Sequence, residues 1–222
     1  MKVLVTRPEP GASITAARLT GMGYEPVVAP CLAISRYTAE LPKNPAAIIV
    51  TSSQVIPALP ERYRNTAIFC VGDATAGRLR AAGFNSVISA SGDAKDLTAL
   101  IIAHRLPGSY LLAVGARHGL ALAQQLRKAG FTIIRRTVYA ATPARTLPPA
   151  VRAALQDGAI GTALFYSAES ARAFIRLNPP NTGNITALAL SPAVAAALND
   201  LPWTRIRVAL APTEADLLAY LT

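Results

Sequence analysis

The chain has 222 residues, of which 52% are apolar and 15% charged, a composition that excludes a disordered protein and supports a sizeable core in one large or two small domains. No apolar run approaches the roughly 20 residues of a membrane span, and residues 1–7 read as a first strand instead of a signal region, so we expect a cytoplasmic protein. Lys and Arg number 22 against 12 Asp and Glu, and the net charge of +10 indicates either a solvated basic surface or a site for a polyanion.

Strand and helix patterns alternate along the chain. Up to residue 139 the predicted strands are 2–6, 26–29, 47–51, 67–71, 86–89, 110–114 and 131–139, and the predicted helices are 11–22, 53–59, 73–82, 94–104 and 118–129. After a proline-marked break, helices are predicted at 149–156, 168–176, 191–199 and 213–221, and strands at 162–166, 185–189 and 206–209. Asp73, Ser167, Ser191 and Thr213 occupy predicted helix N-caps. Such repeated units build parallel sheets.

One short phrase closes three of these helices. Each copy has a Leu, a Gly four residues later and then an aromatic residue, and the copies lie at 19–24, 79–84 and 126–131. Glycine just past a helix accepts the left-handed conformation that ends it, and the aromatic residue starts the next strand. The phrase therefore predicts where three helices stop.

The two halves of the chain also resemble each other. Residues 69–79 resemble 187–198, and residues 49–53 resemble 164–168. Two similar α/β domains are therefore expected, with a cleft between them. Ligands of parallel sheets bind beyond the carboxyl ends of the strands, where this sequence places turns rich in hydroxyls and small residues. Such turns fit anion binding by backbone N–H groups, although helix capping alone would also explain any one of them.

Residues 97–156 contain no acidic residue. The same stretch holds these basic residues: Arg105, Arg117, Arg127, Lys128, Arg135, Arg136, Arg145 and Arg152. A charge distribution of this kind attracts a polyanion, either nucleic acid or a small molecule with several carboxylates. No helix-turn-helix, zinc-finger or RNA-recognition signature accompanies the charges, which argues against nucleic acid.

The sequence predicts neither a cofactor nor a metal. Gly72 and Gly77 are not followed by the Lys and Ser or Thr of a phosphate loop, and no dinucleotide fingerprint or nucleophile elbow is present. His104 and His118 lack the spacing of metal ligands. The two cysteines, Cys31 and Cys70, are expected to be free, buried thiols.

Short motifs in a fixed order are similar to those of the uroporphyrinogen-III synthase family over essentially the whole chain. They are VLVTRP at 3–8, VTS at 50–52, VGDATA at 71–76, TVY at 137–139, YS at 166–167, LSP at 190–192 and APT at 211–213. The resemblance implies two flavodoxin-like α/β parallel-sheet domains joined by a two-stranded β-ladder. One domain would comprise residues 1–35 plus 143–222 and the other residues 39–137. The linker strands would be residues 34–38 and 137–142.

The resemblance also implies a cofactor-free hydro-lyase of haem biosynthesis. The family's substrate is hydroxymethylbilane, a linear tetrapyrrole rich in carboxylates. Loss of water gives an azafulvene, attack by the substituted carbon of ring D gives a spiro intermediate, and fragmentation with reclosure gives uroporphyrinogen III with ring D inverted. Since the free bilane closes uninverted, the protein would mainly select a folded conformation. We expect a monomer that binds this substrate and neither nucleic acid nor a membrane.

Positions that match the family imply site residues. Tyr139 matches the family tyrosine proposed to assist departure of the hydroxyl, and a structural role in the ladder is the alternative. Ser52, Thr75 and Ser167 match family positions that line the cleft, and Arg7 and Arg117 are the candidate cations for the substrate's carboxylates. Thr6 and Ser191, which lie in turns at the ends of predicted strands, complete the residues expected to bind substrate. Ala193 and Val194 stand where many members have two threonines, so backbone N–H groups would replace hydroxyl contacts there.

Two other functions stay open at this point. A non-enzymatic bilobal α/β binding protein for an anionic metabolite would have the same fold and the same basic charge. A nucleic-acid-binding domain would explain only the basic stretch. Conversion of the bilane separates the enzyme from the binding protein, and strong, salt-sensitive DNA binding would favour the nucleic-acid function.

Overall fold

The structure is a computed structural model in which residues 1–221 are described. Its strands are β1 (Lys2–Val5), β2 (Glu25–Val28), β3 (Leu32–Arg36), β4 (Ala47–Val50), β5 (Ala67–Cys70), β6 (Val87–Ser89), β7 (Ser109–Gly115), β8 (Thr132–Pro143), β9 (Ile160–Phe165), β10 (Thr186–Ala189) and β11 (Arg205–Val208). Its α-helices are α1 (Gly11–Gly21), α2 (Asp73–Ala81), α3 (Ala94–His104), α4 (Leu120–Lys128), α5 (Pro149–Gln156), α6 (Ala168–Arg176), α7 (Pro192–Ala196) and α8 (Glu214–Leu218). The predicted alternation of strand and helix is confirmed.

The chain divides into two compact units. Unit 1 comprises Met1–Ile34 and the chain from Thr142 onward, and unit 2 comprises Ser35–Ala141. Both passages of the chain between the units fall inside strands, β3 and β8. These two strands are hydrogen-bonded neighbours at one edge of the sheet of unit 2, where the backbone N–H of Tyr37 donates to the carbonyl of Val138 at 2.9 Å. That they act as a ladder joining two domains stays a prediction.

Each unit contains one sheet, parallel throughout in unit 1 and from β4 to β8 in unit 2, where the edge strand β3 runs antiparallel to β8. The two sheets differ in strand order. Unit 1 has the order β11-β10-β9-β1-β2, which is the flavodoxin order 2-1-3-4-5 read from the other edge. Unit 2 has the order β3-β8-β7-β4-β5-β6, in which β4 to β8 follow the order 3-2-1-4-5 of dinucleotide-binding sheets. The predicted α/β fold with parallel-dominated sheets is confirmed. The strand order of unit 2 is a detail that the prediction of two flavodoxin-like domains did not include.

Helices cover both faces of each sheet, as the apolar content of the strands requires. In unit 1, Val3, Val5 and Leu164 pack with Leu19 of α1 and Leu217 of α8. On the opposite face, the ring of Phe165 packs edge-to-face against the rings of Phe174 and Trp203. In unit 2, β4 and β7 pack against α3 and α4 through a cluster of buried residues: Ile49, Leu97, Ile101, Leu112, Val114, Leu122 and Leu126.

The three helix stops predicted from the repeated phrase are confirmed. Gly23, Gly83 and Gly130 have φ values of +83°, +88° and +88°. In the first copy the Tyr24 N–H donates to the carbonyl of Leu19 at 2.9 Å, and the Gly23 N–H donates to the carbonyl of Thr20 at 3.0 Å. The same pair of bonds recurs in the other two copies, so each phrase is a Schellman motif in which Leu and the aromatic residue are the partners of its apolar contact.

Three of the four predicted N-cap positions are confirmed, and one is wrong. The helix expected to be capped by Asp73 begins at Asp73, and Gly72 is its N-cap. Ser167 and Thr213 cap their helices through side-chain oxygens, whereas Ser191 occupies an N-cap position without a side-chain capping bond. The short helix predicted near 53–59 is present as a 3₁₀ helix at Ser53–Ala58, with Pro57 inside it. None of the helices in residues 1–221 is long and apolar enough to cross a membrane.

Candidate functional site

The carboxyl ends of the strands hold most of the predicted site residues. In doubly wound sheets the ligand crevice lies where successive connections leave a pair of strands in opposite directions. That point lies between β1 and β9 in unit 1 and between β4 and β7 in unit 2. Thr6, Arg7 and Ser167 follow the strands of the first pair, and Ser52 and Arg117 follow the strands of the second.

In unit 1 the Glu214 carboxylate gathers the polar side chains beyond β1. Its Oε1 accepts hydrogen bonds from Arg7 Nη1 at 3.1 Å, Thr15 Oγ1 at 2.5 Å and the Tyr166 hydroxyl at 2.7 Å. Its Oε2 accepts one from Arg18 Nη1 at 2.7 Å. The Cζ atom of Arg7 also lies 4.0 Å from the centre of the Tyr166 ring. One acidic side chain of α8 therefore holds the turns after β1 and β9 and two residues of α1.

This cluster limits what Arg7 can do. The side chains of Arg7 and Glu214 are only 12% and 18% exposed, so water screens their ion pair weakly. A carboxylate ligand would have to compete with Glu214 for the guanidinium of Arg7. The cation proposed from sequence is thus present at the strand end, and its charge is already compensated within the protein.

The cluster also fixes protonation states. Burial raises the pKa of Glu214, but the hydrogen bonds from Thr15 and Tyr166 and the charges of Arg7 and Arg18 outweigh it and hold that pKa below its usual 4.5. Burial, together with the Glu214 carboxylate, raises the pKa of the Tyr166 hydroxyl. At neutral pH the tyrosine is therefore protonated and donates, and the glutamate is ionised and accepts.

Replacing Glu214 with Gln is expected to lower the free energy of unfolding by about 1.5–3 kcal/mol at pH 7, since hydrogen bonds to a charged acceptor are lost. Because the folded-state pKa of Glu214 is depressed, its stabilisation is present above the unfolded pKa and is lost as pH falls through the folded one. The difference between wild type and Glu214→Gln should therefore shrink below about pH 4.5 in denaturant titrations. Glu9→Gln, which removes an exposed carboxylate bonded to Ser13, is the control. A difference that stays constant down to about pH 3 would contradict this account.

Three other predicted residues of unit 1 have settled partners. The Thr6 hydroxyl is fully buried and donates to the Leu164 carbonyl at 2.7 Å, so this side chain ties β1 to β9 and is turned away from a ligand. Ser167 Oγ accepts from the Ser170 N–H at 3.1 Å and donates to Ser170 Oγ at 3.0 Å. Ser191 precedes the short helix α7, and its carbonyl accepts from the N–H groups of that helix.

In unit 2 a β-bulge sets the direction of Tyr139. Along β7 and β8, Val114 is paired with Thr137, but Gly115 is paired with Tyr139, so Val138 is the extra residue. One extra residue moves every following side chain to the other face of the sheet. Tyr139 therefore lies on the face of Gly115, opposite to Val114 and Thr137, and is 6% exposed.

Gly115 allows the Tyr139 ring to approach the end of β7. A Cβ atom at Gly115 would lie 2.7 Å from Tyr139 Cζ and 3.0 Å from its hydroxyl oxygen, closer than van der Waals contact allows. The backbone N–H of Ala116 donates to the Tyr139 carbonyl at 2.9 Å, which fixes the two strand ends together. The Tyr139 phenol can therefore lie at the carboxyl edge of the sheet because Gly115 has no side chain.

The turn after β7 carries Arg117. Its side chain is exposed, and no acidic group within residues 1–221 forms an ion pair with it. Arg135 of β8 holds this turn by donating to the carbonyls of Gly115, Ala116 and His118. Arg117 is therefore a more available cation than Arg7.

Ser52 and Thr75 lie in the turns after β4 and β5. Ser52 Oγ accepts from the Gln54 N–H at 3.3 Å as the N-cap of the 3₁₀ helix at Ser53–Ala58. Thr75 lies in the first turn of α2, and its N–H donates to the carbonyl of Gly72 at 3.0 Å. Both side chains are partly buried, and both belong to unit 2, as do Arg117 and Tyr139.

Neither a reactive thiol nor a metal-binding cluster accompanies the residues at the strand ends of the two units, within residues 1–221. Cys31 and Cys70 are buried and unpaired, and burial raises the pKa of the Cys31 thiol to about 12. Within residues 1–221 no three His, Cys, Asp or Glu side chains are grouped so that they could hold a metal ion.

Sequence reasoning missed three residues that organise the two strand ends. Glu214 follows the recognised APT motif directly, but its partner Arg7 is 207 residues away. Arg135 stands out in the sequence only as one member of the basic stretch, and Gly115 carries no signal beyond its place at the end of a predicted strand. The sequence does contain a less obvious signal for Arg135, which lies on a strand two residues before the TVY motif. On a strand Arg135 shares its face of the sheet with the apolar Ile133, and a charged side chain on an apolar face needs a specific partner.

The structure of this chain is similar to solved structures of uroporphyrinogen-III synthases. It matches the enzyme from Helicobacter pylori with a TM-score of 0.67 and 17% identity over 99% of this chain and 97% of that one. It matches a selenomethionine mutant of the enzyme from Thermus thermophilus with a TM-score of 0.59 and 16% identity over 100% and 97%. No curated protein sequence is similar enough to this chain to count as a match. At these identities the structural likeness shows a shared fold.

The family is shown by the sequence itself. The model of the family described as uroporphyrinogen-III synthase HemD matches residues 13–219. This range includes all of unit 2, most of unit 1 and all the predicted site residues except Thr6 and Arg7. The similarity of short motifs is thereby extended to a match along nearly the whole chain. The chain belongs to the uroporphyrinogen-III synthase HemD family.

Proposed function

We propose that this chain is a hydro-lyase that converts hydroxymethylbilane into uroporphyrinogen III, with loss of water and inversion of ring D. The family match over residues 13–219 carries the proposal. The shared fold with solved synthases supports it, as does the net charge of +10, which suits a substrate that bears many carboxylates. A small-molecule polyanion also explains why the basic stretch lacks nucleic-acid-binding motifs.

Substrate carboxylates are proposed to bind at the carboxyl ends of the strands. Arg117, whose charge is not compensated by an ion pair within residues 1–221, is the strongest side-chain candidate, and Arg7 contributes after competition with Glu214. Ser52, Thr75, Ser167 and Ser191 would add hydroxyl or backbone N–H donors, and Thr6 would contribute by fixing the end of β1. Each charge-assisted hydrogen bond contributes about 1.5–3 kcal/mol, so a few of them suffice to hold a flexible bilane in one conformation.

The chemical role proposed for this chain is mainly positioning. Ring closure needs the azafulvene carbon and the substituted carbon of ring D to approach, and holding them together replaces a large entropic barrier. Tyr139 is proposed to donate its phenolic hydrogen to the leaving hydroxyl, which lowers the cost of expelling it. The close approach to Gly115 and the bulge at Val138 support this role, because together they hold the phenol at the strand ends.

Product analysis tests the proposed function. Freshly made hydroxymethylbilane is incubated with and without the protein, and the porphyrins from oxidised products are separated into type I and type III isomers. We expect type III to dominate with protein and type I without it. Type III no higher than in the protein-free control would overturn the proposal, and retention of the bilane without a change in isomer ratio would identify the non-enzymatic binding protein instead. A cytoplasmic location and a monomeric state stay predictions from the sequence.

A further inference from the structure

We propose that Arg135 is a positioning residue that fixes the turn Gly115–His118 and, through it, the contact of Gly115 with Tyr139. Its Nη2 donates to the carbonyls of His118 at 2.7 Å, Ala116 at 3.2 Å and Gly115 at 3.4 Å. Its Nε donates to the His118 carbonyl at 3.0 Å, and its Nη1 to Thr137 Oγ1 at 3.3 Å. The effect on the reaction rests on the proposed function, whereas the effect on the turn does not.

The register of the sheet explains how Arg135 reaches this turn. Arg135 is paired with Leu112, three residues before the end of β7, and lies on the face that packs against α3 and α4. Its side chain runs along that face past Thr137 to the carbonyls beyond the strand end. The bulge at Val138 places Tyr139 on the opposite face of Gly115. The start of the turn is therefore held from one face by Arg135 and contacted from the other by Tyr139.

The hydrogen bonds of Arg135 to the turn and to Thr137 distinguish it from the other basic side chains between positions 97 and 156. All three nitrogens of its guanidinium donate to groups within the protein, so few donors are left for a substrate carboxylate. Arg117, within the turn that Arg135 holds, has an exposed side chain instead. Arg135 therefore fixes the turn, and Arg117 presents a positive charge from it. Lysine cannot replace the first, because a single ammonium lacks the planar fork that reaches several carbonyls at once.

The neighbouring Arg136 provides a matched control. Its exposed side chain donates to the carbonyl of Glu40 at 2.9 Å and to the carbonyl of Arg135 at 3.2 Å, and it makes none of the bonds to the turn. Arg136→Met removes the same charge one residue away. An effect of Arg135→Met that Arg136→Met lacks therefore cannot come from the loss of a positive charge on β8.

Amide hydrogen exchange tests the positioning role directly and needs no substrate. In wild type the N–H groups of Ala116 and His118 donate to the carbonyls of Tyr139 and Gly115. Arg135→Met and Arg135→Lys should each speed exchange of these two amides by about tenfold or more, with amides of β4 and α3 unchanged, because loss of the clamp opens the turn alone. Arg136→Met should leave them as in wild type. Unchanged exchange in both Arg135 variants would overturn the proposal, whatever the activity.

Kinetics then test whether the turn acts through Tyr139. Arg135→Met and Arg135→Lys should lower kcat for type III formation by roughly ten- to a hundredfold, since misplacement of a reacting group costs rate. Both should also raise KM, because the same turn carries Arg117. In a Tyr139→Phe background, Arg135→Met should lower kcat by less than about threefold more, because the group that it positions is already lost. Fully additive losses would show that Arg135 acts independently of Tyr139, and restoration of kcat by Arg135→Lys would show that it acts by its charge. Either result would overturn the link to Tyr139. If wild type makes no type III product, only the proposed function fails, and the exchange result stands by itself.

Discussion

Tyr139→Phe is expected to lower the rate of type III formation by about a hundredfold, the lower range for loss of a general acid, while the protein stays folded. The phenylalanine keeps the ring that packs against Gly115 and removes only the hydroxyl that we propose to donate to the leaving group. The rate is measured from the type III porphyrin formed at saturating bilane, and folding is measured by denaturant titration.

Tyr110→Phe is the matched control for this substitution. Tyr110 is fully buried in the same unit, near the start of β7, and its hydroxyl donates to the carbonyl of Leu106 at 3.1 Å. Its loss should cost about 1 kcal/mol of stability and leave the rate unchanged. A wild-type rate in Tyr139→Phe would remove Tyr139 from the chemistry and leave it the structural role in the paired strands.

The second large effect is expected from Gly115→Ala, a change of one methyl group. The new Cβ would lie 2.7 Å from Tyr139 Cζ, so the ring must rotate away from the end of β7. Because the end of a side chain moves and not the backbone, the free energy of unfolding should fall by only about 1 kcal/mol, at the low end for overpacking. The rate should fall nearly as far as in Tyr139→Phe, and the double variant should be no slower than Tyr139→Phe alone.

Gly77→Ala tests whether any glycine substitution in this unit has such an effect. Gly77 lies in α2, and a Cβ there would meet no atom within 4 Å. This change should stabilise the protein by about 0.5–1 kcal/mol through helix propensity and leave the rate unchanged. If Gly115→Ala retains the wild-type rate, the position of the Tyr139 ring does not matter for the reaction.

Local signals in the sequence predicted most of the fold. The Schellman motifs at Gly23, Gly83 and Gly130 depend on contacts within about six residues, so the phrase contains all that the backbone needs. The bulge at Val138 could not be predicted, because period-two alternation gives no sign of an extra residue until the partner strand is known. The strand order of unit 2 depends on pairing between distant segments and was equally hidden.

The candidate site was predicted less completely than the fold. Motif similarity proposed Tyr139, and the search for cations at strand ends proposed Arg117; both lie at the carboxyl edge of the sheet of unit 2. Motif similarity could not show that the Thr6 hydroxyl donates to the Leu164 carbonyl, or that Arg7 is paired with Glu214. Those partners lie 158 and 207 residues away in the sequence. Charge along the sequence likewise failed to separate Arg135, which binds carbonyls, from Arg117, which is exposed.

The pairing of β1 with β9 has a consequence for synthesis on the ribosome. β1 is a central strand of unit 1, yet its partner β9 follows the whole of unit 2 in the chain. At translation rates of roughly 5–20 residues per second, the 158 residues between Thr6 and Leu164 take roughly 8–30 s to make. Unit 2 is therefore complete while β1, although able to pair with β2, still presents one free edge. For that interval the free edge of this apolar strand can pair with another chain.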